Sequence, residues 1–206
     1  MVKIALTALS KRYRFEWIFK SLNIELSADK SYAIIGPNGS GKSTLLQVIA
    51  GSMPASEGQI KYLIDQKEVT EENIYQYIAY AAPYLELIEE FTLAETLDFH
   101  FKFKQAQSSI NIKDIPRIAY LEDAIDRPIK QFSSGMKQRV KLCLSILSNS
   151  PILLLDEPTA NLDAEGTSWY QELIKKYREN RLVIVASNEL REYDFCEEKI
   201  NILDFK

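Results

Sequence analysis

The chain has 206 residues, of which 46% are hydrophobic and 26% charged, a composition typical of one globular domain with a continuous core. The 25 Lys and Arg against 29 Asp and Glu give a formal net charge of -4, which argues against nucleic acid as a partner. The sequence contains no apolar run near the roughly 20 residues of a membrane-spanning helix. Cys143 and Cys196 lack metal-ligand spacing, which predicts reduced thiols in a cytoplasmic protein.

Short apolar runs alternate with helix-like segments along the chain. The start of the chain is too short for a signal-peptide core and predicts an opening strand. The predicted elements are, in chain order, strands at residues 2–9, 17–26 and 31–35, a helix through residue 50, strands at 59–69 and 77–82, a mostly helical region at 92–147, a strand at 152–155, a helix at 167–177, and strands at 182–186 and 199–203. This alternation predicts a single α/β domain over residues 1–206 with a mainly parallel core sheet.

A glycine-rich segment between the third strand and the first helix matches the phosphate-loop pattern in full. Its residues are Gly36, Pro37, Asn38, Gly39, Ser40, Gly41, Lys42 and Ser43, with Thr44 following. The glycines let successive amides turn inward around phosphates at the positive end of the helix. Lys42 is expected to reach the β- and γ-phosphates of ATP, and the Ser43 hydroxyl to bind Mg²⁺. The alternative is a glycine-rich turn that fits the pattern by chance.

The apolar run at residues 152–155 ends in two carboxylates, Asp156 and Glu157. A buried parallel strand that delivers acidic side chains to the edge of a sheet predicts the second half of a nucleotide site. Asp156 is expected in the outer shell of the metal, and Glu157 beside the γ-phosphate as the catalytic group that orients or deprotonates water. The alternative is a strand that ends in a solvated acidic turn.

Two further segments make the pattern specific. Phe132-Ser133-Ser134-Gly135-Met136-Lys137-Gln138-Arg139 leads into a helix, and Pro158-Thr159-Ala160-Asn161-Leu162-Asp163 follows Glu157. Together with the phosphate loop, these segments resemble the ATPase subunit of ATP-binding cassette (ABC) transporters, and the motifs occur in the family's order. The resemblance covers essentially the whole chain and implies a phosphate-loop NTPase with an antiparallel β subdomain and a helical signature subdomain at about residues 84–147.

The resemblance implies a head-to-tail dimer, either of two copies or with a related subunit, in which each chain's signature covers ATP on the other. Ser133 and Gly135 would then contact the partner's γ-phosphate, and Asp163 would order the interface. Tyr13 resembles the aromatic residue that stacks on adenine, with Phe15 and Trp17 as alternatives and packing in the core as another.

The sequence departs from the family at two assisting positions. Pro83 stands where the family usually has Gln, and Asn188 where it usually has His; the one histidine of the chain is His100. Asn188 can donate one hydrogen bond to the γ-phosphate but cannot gain a proton as imidazole does. The signature also has Ser134 and Met136 for the usual Gly and Gln, and Met at that position resembles some exporter branches.

Three functions remain open: a Mg-dependent ATP hydrolase that powers a transporter, a nucleotide-gated clamp that hydrolyses slowly, and an ABC-type ATPase uncoupled from transport. For a transporter subunit, the resemblance predicts a cytoplasmic protein peripheral to the membrane. The groove near residues 83–97 would receive a helix of a transmembrane subunit. Its apolar side chains, which could instead pack internally, are Tyr84, Leu85, Leu87, Ile88 and Phe91.

Overall fold

The structure is a computed structural model and describes residues 2–206. Its strands and helices follow the predicted alternation. They are β1 (Val2–Tyr13), β2 (Glu16–Ser27), β3 (Ser31–Ile35), α1 (Lys42–Ile49), β4 (Glu57–Ile64), β5 (Lys67–Val69), β6 (Ile78–Ala81), α2 (Leu93–Phe103), α3 (Ile115–Ile118), α4 (Ser134–Ile146), β7 (Ile152–Asp156), α5 (Ala164–Tyr177), β8 (Leu182–Ala186), α6 (Leu190–Tyr193) and β9 (Glu198–Asn201).

The core sheet is parallel and has the strand order β6-β7-β8-β3-β9. Its central strands β7 and β8 are buried along their whole length. Leu153 and Leu155 of β7 face one apolar cluster, built with α2, α4 and α5, whereas Ile152 and Leu154 face a second cluster, built with α1 and the other sheet. Because side chains alternate along a strand, a strand covered on both faces must be apolar throughout.

The second sheet is antiparallel, with the order β2-β1-β4-β5. Its long β1–β2 hairpin contains register shifts between Leu6 and Arg12. The sheet packs over α1, and the buried Tyr62 hydroxyl donates to the Ile49 carbonyl at the end of that helix. The α/β class with a parallel core sheet and an antiparallel sheet is therefore confirmed.

The region predicted as mostly helical is more broken than expected. Helix α2 begins with a capping box in which Thr92 and Glu95 satisfy each other's backbone amides. The helix ends at Phe103, since Lys104 is extended and its ammonium donates to the carbonyls of Tyr75, Gln76 and Ile78. Short 3₁₀ turns and α3 then fill the chain up to α4.

The last predicted strand, at residues 199–203, was wrong at its end. Strand β9 stops at Asn201, and a 3₁₀ turn covers Ile202–Phe205. The Asn201 side chain accepts from the Leu203 amide, which starts the turn, and Ile202 is fully buried against the phosphate loop. Packing under that loop therefore ends the strand early.

Candidate nucleotide site

The carboxyl ends of four parallel strands converge on one edge of the core sheet. The phosphate loop follows β3, Asp156 ends β7, Asn188 follows β8, and Pro83 follows β6. Ala186, the last residue of β8, lies in register with Asp156 on one side and with Ile34 on the other. Ligand sites of open α/β sheets form at this edge, so the sheet topology brings the separate sequence motifs together.

The phosphate loop forms an open cradle in front of α1. Gly41 is the N-cap of α1, and among residues 2–206 no side chain caps this helix. The Lys42 ammonium donates to the carbonyls of Gly36 and Pro37, at 2.9 and 3.1 Å, so it lies across the loop. The buried Ser40 hydroxyl has no hydrogen-bond partner within the described chain. Uncapped amides beside a buried ammonium form a site suited to phosphates.

Two loop glycines are required by both conformation and space. Gly41 has φ +105°, and a Cβ there would lie 2.3 Å from Cγ2 of Ile18. Gly36 has φ +151°, and its Cβ would lie 2.7 Å from Cγ2 of Ile202. Side chains at these positions would push the loop away from β2 and from the chain's last turn.

Asp156 is the most deeply buried acidic group of the site, with 1% of its surface exposed. Burial raises the pKa of its carboxyl, while the nearby hydroxyls of Ser43 and Tyr84 lower it. Neither carboxylate oxygen has a hydrogen-bond partner among the described residues. A buried carboxylate without donors, next to a serine hydroxyl at the start of a phosphate-loop helix, has the oxygen ligands that Mg²⁺ prefers. The residues present therefore fit a magnesium ion.

Glu157 has a strained backbone, with φ +41°. Its amide donates to the Ala186 carbonyl of β8 at 2.9 Å, and its carbonyl accepts from the Ala160 amide. A non-glycine residue keeps such a conformation only where the surroundings impose it, which is common at functional sites. The turn therefore fixes the direction in which the partly exposed Glu157 side chain leaves the sheet.

Pro83 lies two residues after the end of β6, where the family motif has Gln, and the next residue, Tyr84, lies near the site. The Tyr84 hydroxyl contacts the Tyr80 hydroxyl and lies near Asp156 and Gln47. Sequence reasoning had assigned Tyr84 to an apolar docking segment and missed this polar contact. The sequence does carry a signal for it, because Tyr80 and Tyr84 flank the strand end with the polar atoms that proline lacks.

The signature packs against the turn after Glu157 in the same chain. The Ser133 hydroxyl accepts from the Met136 amide and caps α4. A Cβ on Gly135 would lie 3.1 Å from the Asn161 carbonyl oxygen, and the buried Gln138 donates to the Pro158 carbonyl at 2.8 Å. Asp163, the N-cap of α5, accepts from the Gly166 amide. The signature residues thus lie on the turn rather than on their own phosphate loop.

The Asn188 side chain is exposed, and the segment around it is anchored at two points. The Ser187 amide donates to the Ile34 carbonyl just before the phosphate loop. Glu192 of α6, 2% exposed, accepts from the Thr159 amide at 2.7 Å and from the Thr159 hydroxyl. Sequence reasoning missed Glu192, whose carboxylate joins the acidic turn to the helix after Asn188.

The three candidate adenine-stacking aromatics lie around the tip of the β1–β2 hairpin in different surroundings. Tyr13 is 47% exposed and its hydroxyl donates to Sδ of Met53. Phe15 is almost fully exposed at the hairpin tip. The Arg12 guanidinium and the Lys20 ammonium each lie 5.3 Å from the centroid of the Trp17 ring. Phe15 therefore offers an open ring, whereas two cations lie near the Trp17 ring and one near Tyr13, since the Lys11 ammonium is 5.4 Å from the Tyr13 centroid.

The segment predicted for docking divides into exposed and packed side chains. Leu85 and Ile88 are exposed, whereas Leu87 packs against the core and Phe91 lies edge-on to Phe99 of α2. A groove of about 620 Å³ runs along the segment. Its lining residues are Pro83, Leu85, Glu86, Leu87, Ile88, Glu89, Glu90, Lys137 and Lys141. Internal packing therefore describes Leu87 and Phe91, whereas Leu85 and Ile88 are exposed to solvent.

The described fold and site are those of a phosphate-loop ATPase cassette, and comparison with known proteins agrees. The family model for ABC transporters matches residues 19–160. The lantibiotic transport ATP-binding protein SrtF of Streptococcus pyogenes is 29% identical over 187 residues, covering 88% of this chain and 78% of that protein. The Fe(3+) ions import ATP-binding protein FbpC 1 of Pectobacterium atrosepticum is 31% identical over 180 residues, covering 85% and 51%.

Solved structures show the same fold. The dimeric post-hydrolysis state of the ATP-binding cassette MJ0796, bound to ADP and Pi, has a TM-score of 0.81 at 25% identity and covers 98% of this chain and 94% of that one. A putative ABC transporter ATP-binding protein from Pyrococcus furiosus also has a TM-score of 0.81, at 20% identity, with 99% of both chains covered.

The chain therefore belongs to the ABC transporter family, as an ATP-binding subunit. Cassettes of this family bind and hydrolyse ATP and power transport as ATP-driven dimers. Within residues 2–206, no helix combines the length and the apolar character needed to cross a bilayer.

Proposed function

We propose that this chain is the Mg-dependent ATP-hydrolysing subunit of a transporter, peripheral on the cytoplasmic face of the membrane. The observation that carries the proposal is the buried Asp156 carboxylate, which has no hydrogen-bond partner in the described chain. It lies beside Ser43 and close to the phosphate loop, across which the Lys42 ammonium lies. Residues 1–206 would form one ATP-binding domain, with residues 84–147 as its helical signature subdomain.

The phosphate loop is proposed to hold ATP through its backbone and two side chains. When phosphates enter, the Lys42 ammonium exchanges the carbonyls of Gly36 and Pro37 for phosphate oxygens, which bear full negative charge. Amides of the segment 36–44 donate to the same oxygens, and the residues proposed to line them are Gly36, Asn38, Gly39, Ser40, Gly41, Lys42, Ser43 and Thr44. Tyr13, whose ring is about half exposed and also lies near the Lys11 ammonium, is proposed to stack on adenine.

Ser43 and Asp156 are proposed to hold Mg²⁺, which supplies charge neutralisation for the β- and γ-phosphates. Glu157 accepts the proton of the attacking water or orients it, from the side-chain direction that its strained backbone imposes. Because Asp156 must be ionised to hold a cation, a bound cation would offset the desolvation that raises its pKa.

In the proposed head-to-tail dimer, Ser133 and Gly135 contact the γ-phosphate of the partner's ATP, and Asp163 orders the interface. The exposed positions of Ser133 and Asp163 support this role, since both remain open to a second subunit. The hydrogen bond from Gln138 to Pro158 couples the signature helix to the acidic turn of its own chain. Closing one interface would thereby act on the turn that carries Glu157.

A slowly hydrolysing, nucleotide-gated clamp is the second candidate function, and the pair Pro83 and Asn188 favours it. We expect Asn188→His to raise phosphate release from Mg-ATP by about tenfold, since imidazole can bring a proton and a positive charge to the γ-phosphate, which the asparagine amide cannot. The exposed Asn188 side chain can be replaced without repacking. Phosphate release at high protein concentration measures the effect.

The matched control is Asn149→His, an exposed asparagine at the opposite edge of the core sheet, which should leave the rate unchanged. If the parent chain releases phosphate slowly and only Asn188→His raises the rate, the missing imidazole limits hydrolysis in this cassette. An equal rate for the parent and Asn188→His would contradict the slow-hydrolysis proposal.

The groove along residues 83–97 is proposed to receive a helix of a transmembrane subunit. The exposed Leu85 and Ile88 support this role, and the acidic side chains of Glu86, Glu89 and Glu90 line the same groove. The apolar pair would contact an apolar helix face, while Glu86 and Glu90 would favour a basic flank; Glu89 is already paired with Lys137.

Ile88→Glu is expected to lower the membrane-bound fraction of the chain about tenfold, because it removes the burial of one large apolar side chain. Co-sedimentation with native membranes, with ATP binding measured in parallel, provides the test. Leu203→Glu replaces an equally exposed leucine in the chain's last turn and serves as control. Undiminished association of Ile88→Glu would refute docking at this groove, while substitution of the packed Leu87 would perturb folding instead.

A further inference from the structure

A buried glutamate joins the turn after β7 to the segment after β8. The Glu192 side chain of α6 is 2% exposed, and its Oε1 accepts hydrogen bonds from the Thr159 amide, at 2.7 Å, and from the Thr159 hydroxyl. Thr159 is itself buried. One carboxylate oxygen thus receives both donors of a single residue, and this contact holds the turn against α6.

Glu192 is also held by its own backbone. Its amide donates to the Glu189 carbonyl at 2.9 Å, and its carbonyl accepts from the buried Tyr170 hydroxyl of α5 at 2.8 Å. Helix α5 begins at the end of the same turn, where Asp163 is the N-cap. The turn, α5 and α6 therefore form a closed set of contacts that fixes the position of the Glu192 carboxylate.

The Glu192 carboxylate has a feature that packing alone does not require. Its second oxygen, Oε2, is buried and has no hydrogen-bond partner among residues 2–206. A buried polar atom without a partner costs free energy, so an apolar side chain would fill this position at lower cost. The position therefore favours a role in linking two segments over a role in filling the core.

The two linked segments lead to two different proposed contacts. The segment after β8 carries Asn188, whose exposed side chain is proposed to contact the γ-phosphate, and the turn carries the exposed Asp163 at the proposed dimer interface. The backbone joins the segments once, since the Glu157 amide donates to the Ala186 carbonyl. The contact of Glu192 with Thr159 is made by side-chain atoms of α6, so a substitution can remove it while the sheet stays intact.

We propose that Glu192 is a positioning residue that couples the Asn188 segment, at the γ-phosphate, to the turn at the dimer interface. This inference rests on the proposed function. Because Glu192 is buried, it acts through Thr159 and not on the nucleotide. Its loss should weaken ATP-driven dimerisation and leave the binding of ATP to the phosphate loop unchanged.

The test is sedimentation of the Glu157→Gln chain over a range of protein concentrations, in saturating Mg-ATP and in saturating Mg-ADP. The Glu157→Gln background keeps ATP intact during the measurement. Glu192→Ala should raise the protein concentration at half-maximal dimerisation in Mg-ATP about tenfold, a size typical of coupling between two sites. ATP affinity of the monomer, measured at low protein concentration, should not change, and neither should sedimentation in Mg-ADP, which lacks the γ-phosphate.

Three variants separate coupling from altered stability. Glu192→Gln keeps an oxygen that can accept from Thr159 and should return the midpoint to within about threefold of the background chain, since only the charge of the acceptor is lost. Leu173→Ala removes a buried side chain from α5 and should lower Tm without changing the midpoint. Glu189→Ala, at the exposed N-cap of α6, should change neither quantity.

Thr159→Val tests the same contact from the turn and removes only one of the two hydrogen bonds. It should raise the midpoint about threefold, and it should add little to Glu192→Ala, because both substitutions remove the same interaction. Thr96→Val is the matched control, since Thr96 is a buried threonine of α2 whose hydroxyl donates to the Thr92 carbonyl. It should leave the midpoint unchanged.

An unchanged midpoint in Glu192→Ala and Thr159→Val, while the Glu157→Gln chain dimerises in Mg-ATP, overturns the inference and leaves the proposed function standing. A midpoint raised as much by Leu173→Ala also overturns it, because lost stability alone would then explain the effect. Weaker ATP binding by the Glu192→Ala monomer has the same meaning. If the Glu157→Gln chain binds ATP but stays monomeric, the proposed dimer of two copies fails and the inference fails with it.

Discussion

Glu157→Gln is expected to lower phosphate release from Mg-ATP at least about 100-fold while ATP binding persists. Glutamine keeps the shape of the side chain on its strained backbone but cannot accept a proton. The variant should therefore accumulate as an ATP-bound dimer, because hydrolysis no longer separates the subunits. Phosphate release and sedimentation in saturating Mg-ATP measure the two effects.

The control is Glu179→Gln, an exposed glutamate in the loop before β8, at the far edge of the core sheet. It should keep the rate and the oligomeric state of the parent. Phosphate release by Glu157→Gln at the parent's rate would remove Glu157 from catalysis. A variant that binds ATP yet stays monomeric would count against ATP-driven dimerisation of two copies of this chain.

Asp156→Asn is expected to make the nucleotide-free protein more stable and, at the same time, to abolish its response to Mg²⁺. The ionised carboxylate of the parent is buried without hydrogen-bond partners in the described chain, so removing its charge relieves a desolvation penalty. A relief of about 1 kcal/mol would raise Tm by about 2 to 4 °C in a chain of this size. Affinity for Mg²⁺ should fall by about 100-fold, since an amide binds a hard cation weakly.

The raised pKa of Asp156 determines how the stability difference between the parent and Asp156→Asn changes with pH. Burial raises the pKa of Asp156 above its ordinary value of 3.8, so the folded state binds this proton more tightly than the unfolded state does. The contribution of the protonated Asp156 to the free energy of unfolding is fully present below pH 3.8 and is lost as the pH rises through the raised pKa. The Tm advantage of Asp156→Asn over the parent should therefore grow from pH 4 towards neutrality and then level off.

Asp123→Asn, at an exposed position in the helical region, is the matched control and should show no such pH-dependent difference. Calorimetric scans without nucleotide at several pH values, followed by Mg²⁺ titrations with ATP, cover both parts of the prediction. A less stable Asp156→Asn at neutral pH would mean that the carboxylate has compensating partners. An unaltered Mg²⁺ requirement would exclude Asp156 from the metal site.

Burial in the helical region sets the protonation state of His100. His100, which the sequence placed in the helical region away from the site, has its Nε2 2.9 Å from the Ser148 hydroxyl. Burial lowers its pKa to about 4, so the imidazole is neutral at physiological pH. His100 therefore does not replace the missing histidine of the family motif, which leaves Asn188 as the side chain at that strand end.

Much of the architecture follows from the sequence because its motifs are local. The phosphate loop can be recognised from eight consecutive residues and the strand and helix on either side of them. The apolar runs that end in Asp156 and Ala186 predict strands buried on both faces. The carboxyl ends of parallel strands share one edge, so the pairing of the loop with Asp156 and Glu157 was also predictable.

Only the tertiary structure shows which other side chains lie near the nucleotide site, at the carboxyl ends of the parallel strands. Tyr84 lies 72 positions before Asp156 in the sequence and Glu192 lies 33 after Thr159, so only the fold brings the members of each pair close together. Strand order, set by packing of the whole chain, puts β6 beside β7 and brings Tyr84 near Asp156. Likewise, the division of residues 84–91 into exposed and packed side chains depends on α2 and α4, whose contacts with this segment form only in the fold.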